Sequence, residues 1–98
     1  MGQIARLADI IARLSEFGEE EVIYASEPWT EGSDAIVLPY RDEDDGGPHP
    51  EATEAGLAYF LEIFTAREFV EGWIASLSYE PSASAIRERL IQYAINDA

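Results

Sequence analysis

Two short β-forming segments joined by a turn-rich connection restrict the fold of this chain more than any other feature. Residues 21–26 and residues 35–39 are both rich in β-branched and large apolar side chains. Between them, residues 27–34 place proline, glycine, serine and aspartate on both sides of Trp29, and these are the residue types that turns use. The pattern predicts a β-hairpin with an eight-residue connection.

Apolar spacing predicts helices on both sides of this hairpin. Residues 3–16 carry apolar side chains at helical spacing, and Gly18 follows as a stop. Near the other end of the chain, Pro81 and two nearby serines provide a break and a new start. The final helix, which is expected to run nearly to the C-terminus, has an apolar stripe made of Ile86, Leu90, Ile91, Ala94 and Ile95.

The segment from Gly56 to Phe64 fits two periodicities. A helix would use Leu57, Phe60, Leu61 and Phe64 as one face, whereas a strand would alternate Tyr59, Leu61 and Ile63. Thr65 followed by Glu68 is a capping-box pattern, which indicates that a new helix starts near residue 65. We therefore predict a strand over 58–64 and a helix over 66–77, with Trp73 in the core stripe of that helix.

Length and composition indicate one folded domain. A chain of 98 residues buries about 60–65% of the surface that its unfolded form exposes. The hydrophobic fraction of 47% lies in the ordinary globular range.

The predicted element order is α-β-β-β-α-α, and the predicted class is α+β: a small, mainly antiparallel three-stranded sheet with helices packed on one face.

The chain carries a strong negative charge that is concentrated in its middle. Twenty acidic residues against six arginines and no lysine give a net charge of −14. Of the acidic residues, 13 lie between Glu16 and Glu54, where Arg41 is the only cation. Phosphate backbones and anionic membranes repel such a surface, so we expect neither nucleic acid nor membrane as a ligand. A basic protein is the expected partner.

The connection around Trp29 is the strongest candidate for a recognition surface. An aromatic side chain with a charged rim is what protein interfaces enrich, although the ring could instead fold back onto the edge of the core. Residues 42–50 have neither periodicity nor apolar side chains, which predicts a solvated loop. The predicted partner-binding residues are Glu27, Trp29, Glu31, Asp34, Asp42, Glu43, Asp44 and Asp45.

The acidic loop is a poor match to a calcium-binding loop. Asp42, Asp44 and Gly47 match positions one, three and six of that pattern. Position five is Gly46 and position twelve is Thr53, so two of the expected oxygen ligands are missing. We predict no metal site and no cofactor.

Few arrangements for catalysis are available. The chain has no cysteine and no lysine, and His49 is its one histidine, which limits the choice of nucleophile and base. Glu62 lies within an apolar run, but a one-sided strand would turn it to solvent together with Ala58 and Phe60. We expect a protein that is not an enzyme. A small metal-binding or hydrolytic module that uses His49 and the loop carboxylates is the alternative.

These observations predict a non-enzymatic interaction module that docks a basic partner. Two uses fit: an immunity or antitoxin protein that covers a cationic toxin, and a mimic of nucleic acid that occupies a nucleic-acid-binding protein. A homo-oligomer that associates through exposed apolar surface on the last two helices is a further alternative. The absence of cysteine and of an apolar leader or membrane-spanning segment favours the cytoplasm.

Overall fold

The computed structural model describes residues 4–39 and 50–97, and it is an α+β fold. Within those residues, four strands form an antiparallel sheet in the order β1-β3-β2-β4: β1 (Ala5–Arg6), β2 (Glu21–Ala25), β3 (Asp34–Pro39) and β4 (Ala58–Glu62). The helices there are α1 (Leu7–Ala12), α2 (Pro50–Glu54), α3 (Ile63–Ala75) and α4 (Ala83–Asp97), with a 3-10 turn at Leu14–Glu16. None of these helices has the length and apolar character needed to cross a bilayer.

The predicted hairpin is confirmed. Strands β2 and β3 pair in antiparallel register from Glu21 opposite Pro39 to Ala25 opposite Ala35. The connection between them, residues 26–33, has the expected eight residues. Local residue preference and turn chemistry were therefore sufficient to define this unit.

The prediction of three strands is wrong because the first helix is shorter than its apolar stripe suggests. Ala5 and Arg6 pair with Ala35 and Asp34, so they form an edge strand instead of the first turn of a helix. Pairing gives the outer backbone groups of β3 hydrogen-bond partners, which a helix over 3–16 would not supply. Only six residues of that stretch form α1, and the 3-10 turn follows it.

A β-bulge in β4 explains the two periodicities of its sequence. Ile23 pairs with Leu61 and Tyr24 pairs with Tyr59, which leaves Phe60 as an extra residue in β4. Phe60 and Leu61 are both buried in the same cluster, whereas Tyr59 is 47% exposed and contacts Tyr24 on the other face. Two adjacent apolar residues that enter one core imitate helical spacing. The expectation that Phe60 faces solvent is therefore wrong.

Helix α3 begins earlier than the capping box predicts. It starts at Ile63, directly after β4, and Glu62 occupies the N-cap position without a side-chain capping hydrogen bond. Ile63 and Ala66 are fully buried, so tertiary burial outweighs the local capping signal of Thr65. The helix also ends earlier, and Trp73 is half-buried outside both buried clusters, contrary to the prediction that it belongs to the core.

The helices pack on both faces of the sheet, not on one. The larger core joins sheet residues such as Ile23 and Phe60 to α1, α3 and α4. The second core contains alternate residues of β2 and β3, closed by residues at α2 and just after it: Val22, Tyr24, Ile36, Leu38, Ala52 and Leu57. Strands buried on both faces read as nearly continuous apolar runs, as β2 and β3 do.

The turn after α2 is a Schellman motif that delivers the chain to β4. The Leu57 amide donates to the Ala52 carbonyl at 2.9 Å, and the Gly56 amide donates to the Thr53 carbonyl at 3.0 Å. Gly56 has a φ of +77°, in the left-handed region that side chains with a Cβ rarely adopt. This closure holds Leu57 over the second core.

Candidate interaction surface

Half of the predicted partner-binding residues lie on one loop or directly at its end. Glu27, Trp29 and Glu31 belong to the β2–β3 loop, which comprises residues 26–33, and Asp34 is the first residue of β3. The other half of the prediction, Asp42, Glu43, Asp44 and Asp45, lies outside the described residues.

The two predicted acidic segments start at opposite ends of the hairpin. The β2–β3 loop connects the end of β2 to the start of β3, whereas residues 40–49 follow Pro39, which pairs with Glu21 at the other end. Five residue pairs separate these ends, which corresponds to about 15–20 Å at the rise of a strand. Sequence proximity alone therefore does not make the two segments one surface.

Hydrogen bonds within the β2–β3 loop hold its backbone. The Ser33 side chain is buried, and its hydroxyl accepts from the Thr30 amide at 2.9 Å and donates to the Pro28 carbonyl at 3.2 Å. The Ser33 amide donates in turn to the Thr30 carbonyl at 3.1 Å. The Thr30 hydroxyl accepts from the Gly32 amide at 3.3 Å. Ser33 is thus the polar centre of the loop, with its hydroxyl satisfied as both donor and acceptor.

Trp29 fixes the same loop to the core. Its ring meets Phe60 edge to face, with the ring centroids 5.0 Å apart and the planes at 85°, a favourable aromatic geometry. The indole Nε1 donates to the Ala25 carbonyl at 3.2 Å. The side chain is half-buried. The structure therefore places Trp29 back on the core edge, which is the alternative to a free anchor, and leaves part of its surface accessible.

Two helices also hold the β2–β3 loop. The Leu7 and Ala8 amides, at the start of α1, donate to the carbonyls of Ser33 and Glu31 at 2.8 and 3.0 Å. These loop carbonyls satisfy amides that have no partner inside the helix. From α4, the Arg87 Nε donates to the Glu31 Oε1 at 2.7 Å in a partly exposed ion pair. The loop is therefore attached to the sheet, α1 and α4 together.

The charge of this surface differs from what its sequence alone suggests. Glu27 and Asp34 are exposed, and neither side chain has an ion pair or hydrogen bond within the described parts of the chain. Glu31 is paired with Arg87, and Arg6 donates from its Nη1 to the Gly32 carbonyl at 3.2 Å. Two arginines thus offset part of the negative charge, and Glu27 and Asp34 are the carboxylates of this surface that have no partner among the described residues.

Sequence reasoning missed three residues that build this surface. Ser33 holds the turn, Arg6 contacts the loop backbone, and Arg87 binds a carboxylate 56 positions away. No local signal identifies Glu31 as the partner, because the contact depends on how α4 packs.

The alternative site at His49 lies largely outside the described residues. His49 itself is in the range 40–49, and the side chain of Glu51 is also not described. Across residues 4–39 and 50–97, no group of three or more histidine, cysteine, aspartate or glutamate side chains could hold a metal ion. Comparison of the chain with protein-family models, curated proteins and solved structures found no match. Its function must therefore be argued from its own geometry.

Proposed function

We propose that this chain is a non-enzymatic protein-interaction module that docks a basic partner through the β2–β3 loop. The observation that carries the proposal is the fixed conformation of this loop, which the sheet, α1 and α4 hold, while the exposed carboxylates of Glu27 and Asp34 have no partner among the described residues. A surface that is ordered before binding loses little conformational entropy on association. Such a surface can bind a partner with good specificity although it is small.

Electrostatics supports a basic partner. The net charge of −14 attracts a cationic protein over the Debye length of about 8–10 Å and accelerates the encounter. At contact, Glu27 and Asp34 accept hydrogen bonds from arginine or lysine side chains of the partner. The accessible part of Trp29 supplies apolar contact beside them. The long-range charge sets the rate of association, and the loop sets the orientation.

Two roles of this chain fit this chemistry. An immunity-like or antitoxin-like inhibitor covers the cationic active-site surface of a toxin, and a nucleic-acid mimic occupies the phosphate-binding surface of another protein. A small acidic domain with an ordered loop suits the first use, because an inhibitor must dock in one orientation. The acidic run 42–45 remains a predicted part of the partner-binding residues and is tested by its own variant.

The test is capture of a partner from lysate of the source cells at low salt, followed by a wash at high salt. The informative variant is Glu27→Gln with Asp34→Asn. The matched control is Glu68→Gln with Glu71→Gln, which removes the same charge from exposed positions on α3. We expect a basic protein that high salt releases, that the loop variant fails to retain, and that the control retains.

Other outcomes would contradict the proposal. Equal loss of the partner in the loop variant and in the α3 control would mean that overall charge, not the loop, binds it. Failure to retain any protein would indicate that the charge serves solubility. A third variant, Asp42/Glu43/Asp44/Asp45→Asn/Gln/Asn/Asn, tests the acidic run separately, and a Trp29→Ala variant tests the ring.

Self-association is a second candidate, favoured by apolar exposure on the last helices. Phe64 on α3 is 44% exposed and Ile95 on α4 is 49% exposed. Exposed apolar residues that occur singly are common on monomers, so this observation is weaker than the order of the β2–β3 loop. Light scattering across protein concentration distinguishes the two proposals, since a strict monomer excludes self-association.

A further inference from the structure

A groove between α3 and α4 is separate from the proposed docking loop. It has a volume of about 240 Å³ and is lined by Phe69, Arg89, Gln92, Tyr93 and Asn96. The four residues from α4 are spaced i, i+3, i+4 and i+7, so they lie on one face of that helix. Arg87, only two positions before Arg89, contacts the β2–β3 loop instead. The two arginines therefore serve different surfaces of the molecule.

Aromatic rings form the wall of this groove. The rings of Phe69 and Tyr93 are stacked, with centroids 4.2 Å apart and planes at 19°. The guanidinium carbon of Arg89 lies 5.9 Å from the centroid of the Phe69 ring, at the limit of a cation–π contact. The groove therefore holds a stacked aromatic pair with a guanidinium beside one of its rings.

The polar residues of the groove have unused hydrogen-bonding groups. The side chains of Arg89, Gln92 and Asn96 make no hydrogen bond or ion pair with the described residues, and all three are exposed. By contrast, Arg6 and Arg87 each donate to an acceptor within the chain. Arg89 is the charged member of the lining, so the groove carries one positive side chain on a protein whose net charge is −14.

We propose that this groove binds a small aromatic monocarboxylate. The ligand carboxylate accepts from the Arg89 guanidinium, which matches a carboxylate with two parallel hydrogen bonds. The amide groups of Gln92 and Asn96 donate to the remaining oxygen lone pairs, and the ligand ring lies against the Phe69–Tyr93 pair. Aromatic walls with a few convergent polar groups are typical of small-molecule sites.

Size and charge define this ligand class. The volume of about 240 Å³ is below the usual range of roughly 300–1,000 Å³ for drug-sized ligands, and it equals the liquid volume of about eight waters. One ring with one carboxylate fits this space. A monoanion also suffers less repulsion from the net charge of −14 than a phosphate dianion does.

The test is a titration of the full chain, followed by nuclear magnetic resonance of its side-chain N–H groups. Sodium benzoate is the probe, benzamide is the neutral analogue, acetate is the analogue without a ring, and sodium chloride keeps the ionic strength constant. With benzoate we expect saturable shifts confined to Arg89, Gln92, Asn96 and their neighbours. Benzamide and acetate should bind at least about tenfold more weakly, a difference of about 1.4 kcal/mol.

A pair of variants with the same charge change makes the test decisive. Arg89→Gln should raise the benzoate Kd at least tenfold, whereas Arg67→Gln, on α3 and outside the groove lining, should leave it within twofold. Shifts that do not saturate, or an unchanged Kd in Arg89→Gln, would overturn the proposal. If Arg89→Gln does not fold, Asn96→Ala replaces it, with the same expected direction. Partner capture by the β2–β3 loop is independent of all these results.

Discussion

Replacing Trp29 by alanine tests how far this ring contributes to the fold. A tryptophan buries roughly 150–250 Å² when it packs fully, so a half-buried ring loses about 100 Å², or about 2.5 kcal/mol. The edge-to-face contact with Phe60 and the hydrogen bond to the Ala25 carbonyl each contribute about 0.5–1.5 kcal/mol. Because these contributions overlap, we expect Trp29→Ala to lower the free energy of unfolding by about 2–4 kcal/mol.

Denaturant and thermal unfolding followed by far-ultraviolet circular dichroism measure this loss. A domain of this size has a total stability of about 5–15 kcal/mol, and the expected loss lowers the Tm by at least about 8 °C. Trp29→Phe keeps a ring against Phe60 but removes the indole N–H, so it should lose only about 1 kcal/mol. A Trp29→Ala variant within about 0.5 kcal/mol of the parent would refute the placement of the ring on the core.

Three further pairs of substitutions test particular contacts by the same unfolding measurements. Gly56→Ala should destabilise the protein by about 1–2 kcal/mol, because φ at Gly56 is +77°. Gly72→Ala, inside α3 with open space around it, should instead stabilise the protein by about 0.5–1 kcal/mol. Equal effects of the two substitutions would contradict the turn geometry at Gly56. A double-mutant cycle on Glu31→Gln and Arg87→Gln should give a coupling free energy of about 0.2–1 kcal/mol, because both side chains are partly exposed. This coupling should decrease as salt is added. A coupling of zero at low salt would contradict the Glu31–Arg87 ion pair. Phe60→Ala should lower the free energy of unfolding by about 3–5 kcal/mol, because Phe60 is buried, and Tyr59→Ala, at an exposed position, by about 0.5–1.5 kcal/mol. The reverse order would mean that β4 has no bulge.

The sequence was informative where local preference decides the structure. The β2–β3 hairpin follows from β-branched residues and a turn-rich connection, both of which act over a few residues. It was misleading at Ala5 and Arg6, where a helical stripe continues but pairing with β3 takes precedence. It was ambiguous at Phe60, because a bulge changes which face a residue occupies without a distinct residue signature.

The candidate interaction surface was predictable in its composition but not in its contacts. Glu27 and Asp34 could be identified because charged residues surround a loop tryptophan. The pairing of Glu31 with Arg87, by contrast, depends on how α4 packs against the hairpin. The position of Trp29 on Phe60 depends on the bulge in β4. Long-range packing therefore decided which carboxylates remain available.

The proposed docking depends most directly on the order of the β2–β3 loop in the free protein. Backbone amide order parameters from nuclear magnetic resonance relaxation measure this property on the fast timescale. Because the loop is bonded to the sheet, α1 and α4, the amides of residues 26–33 should show order parameters near 0.85, as rigid backbone does. Values below about 0.6 across the loop would contradict a preformed surface and, with it, the proposed mode of partner binding.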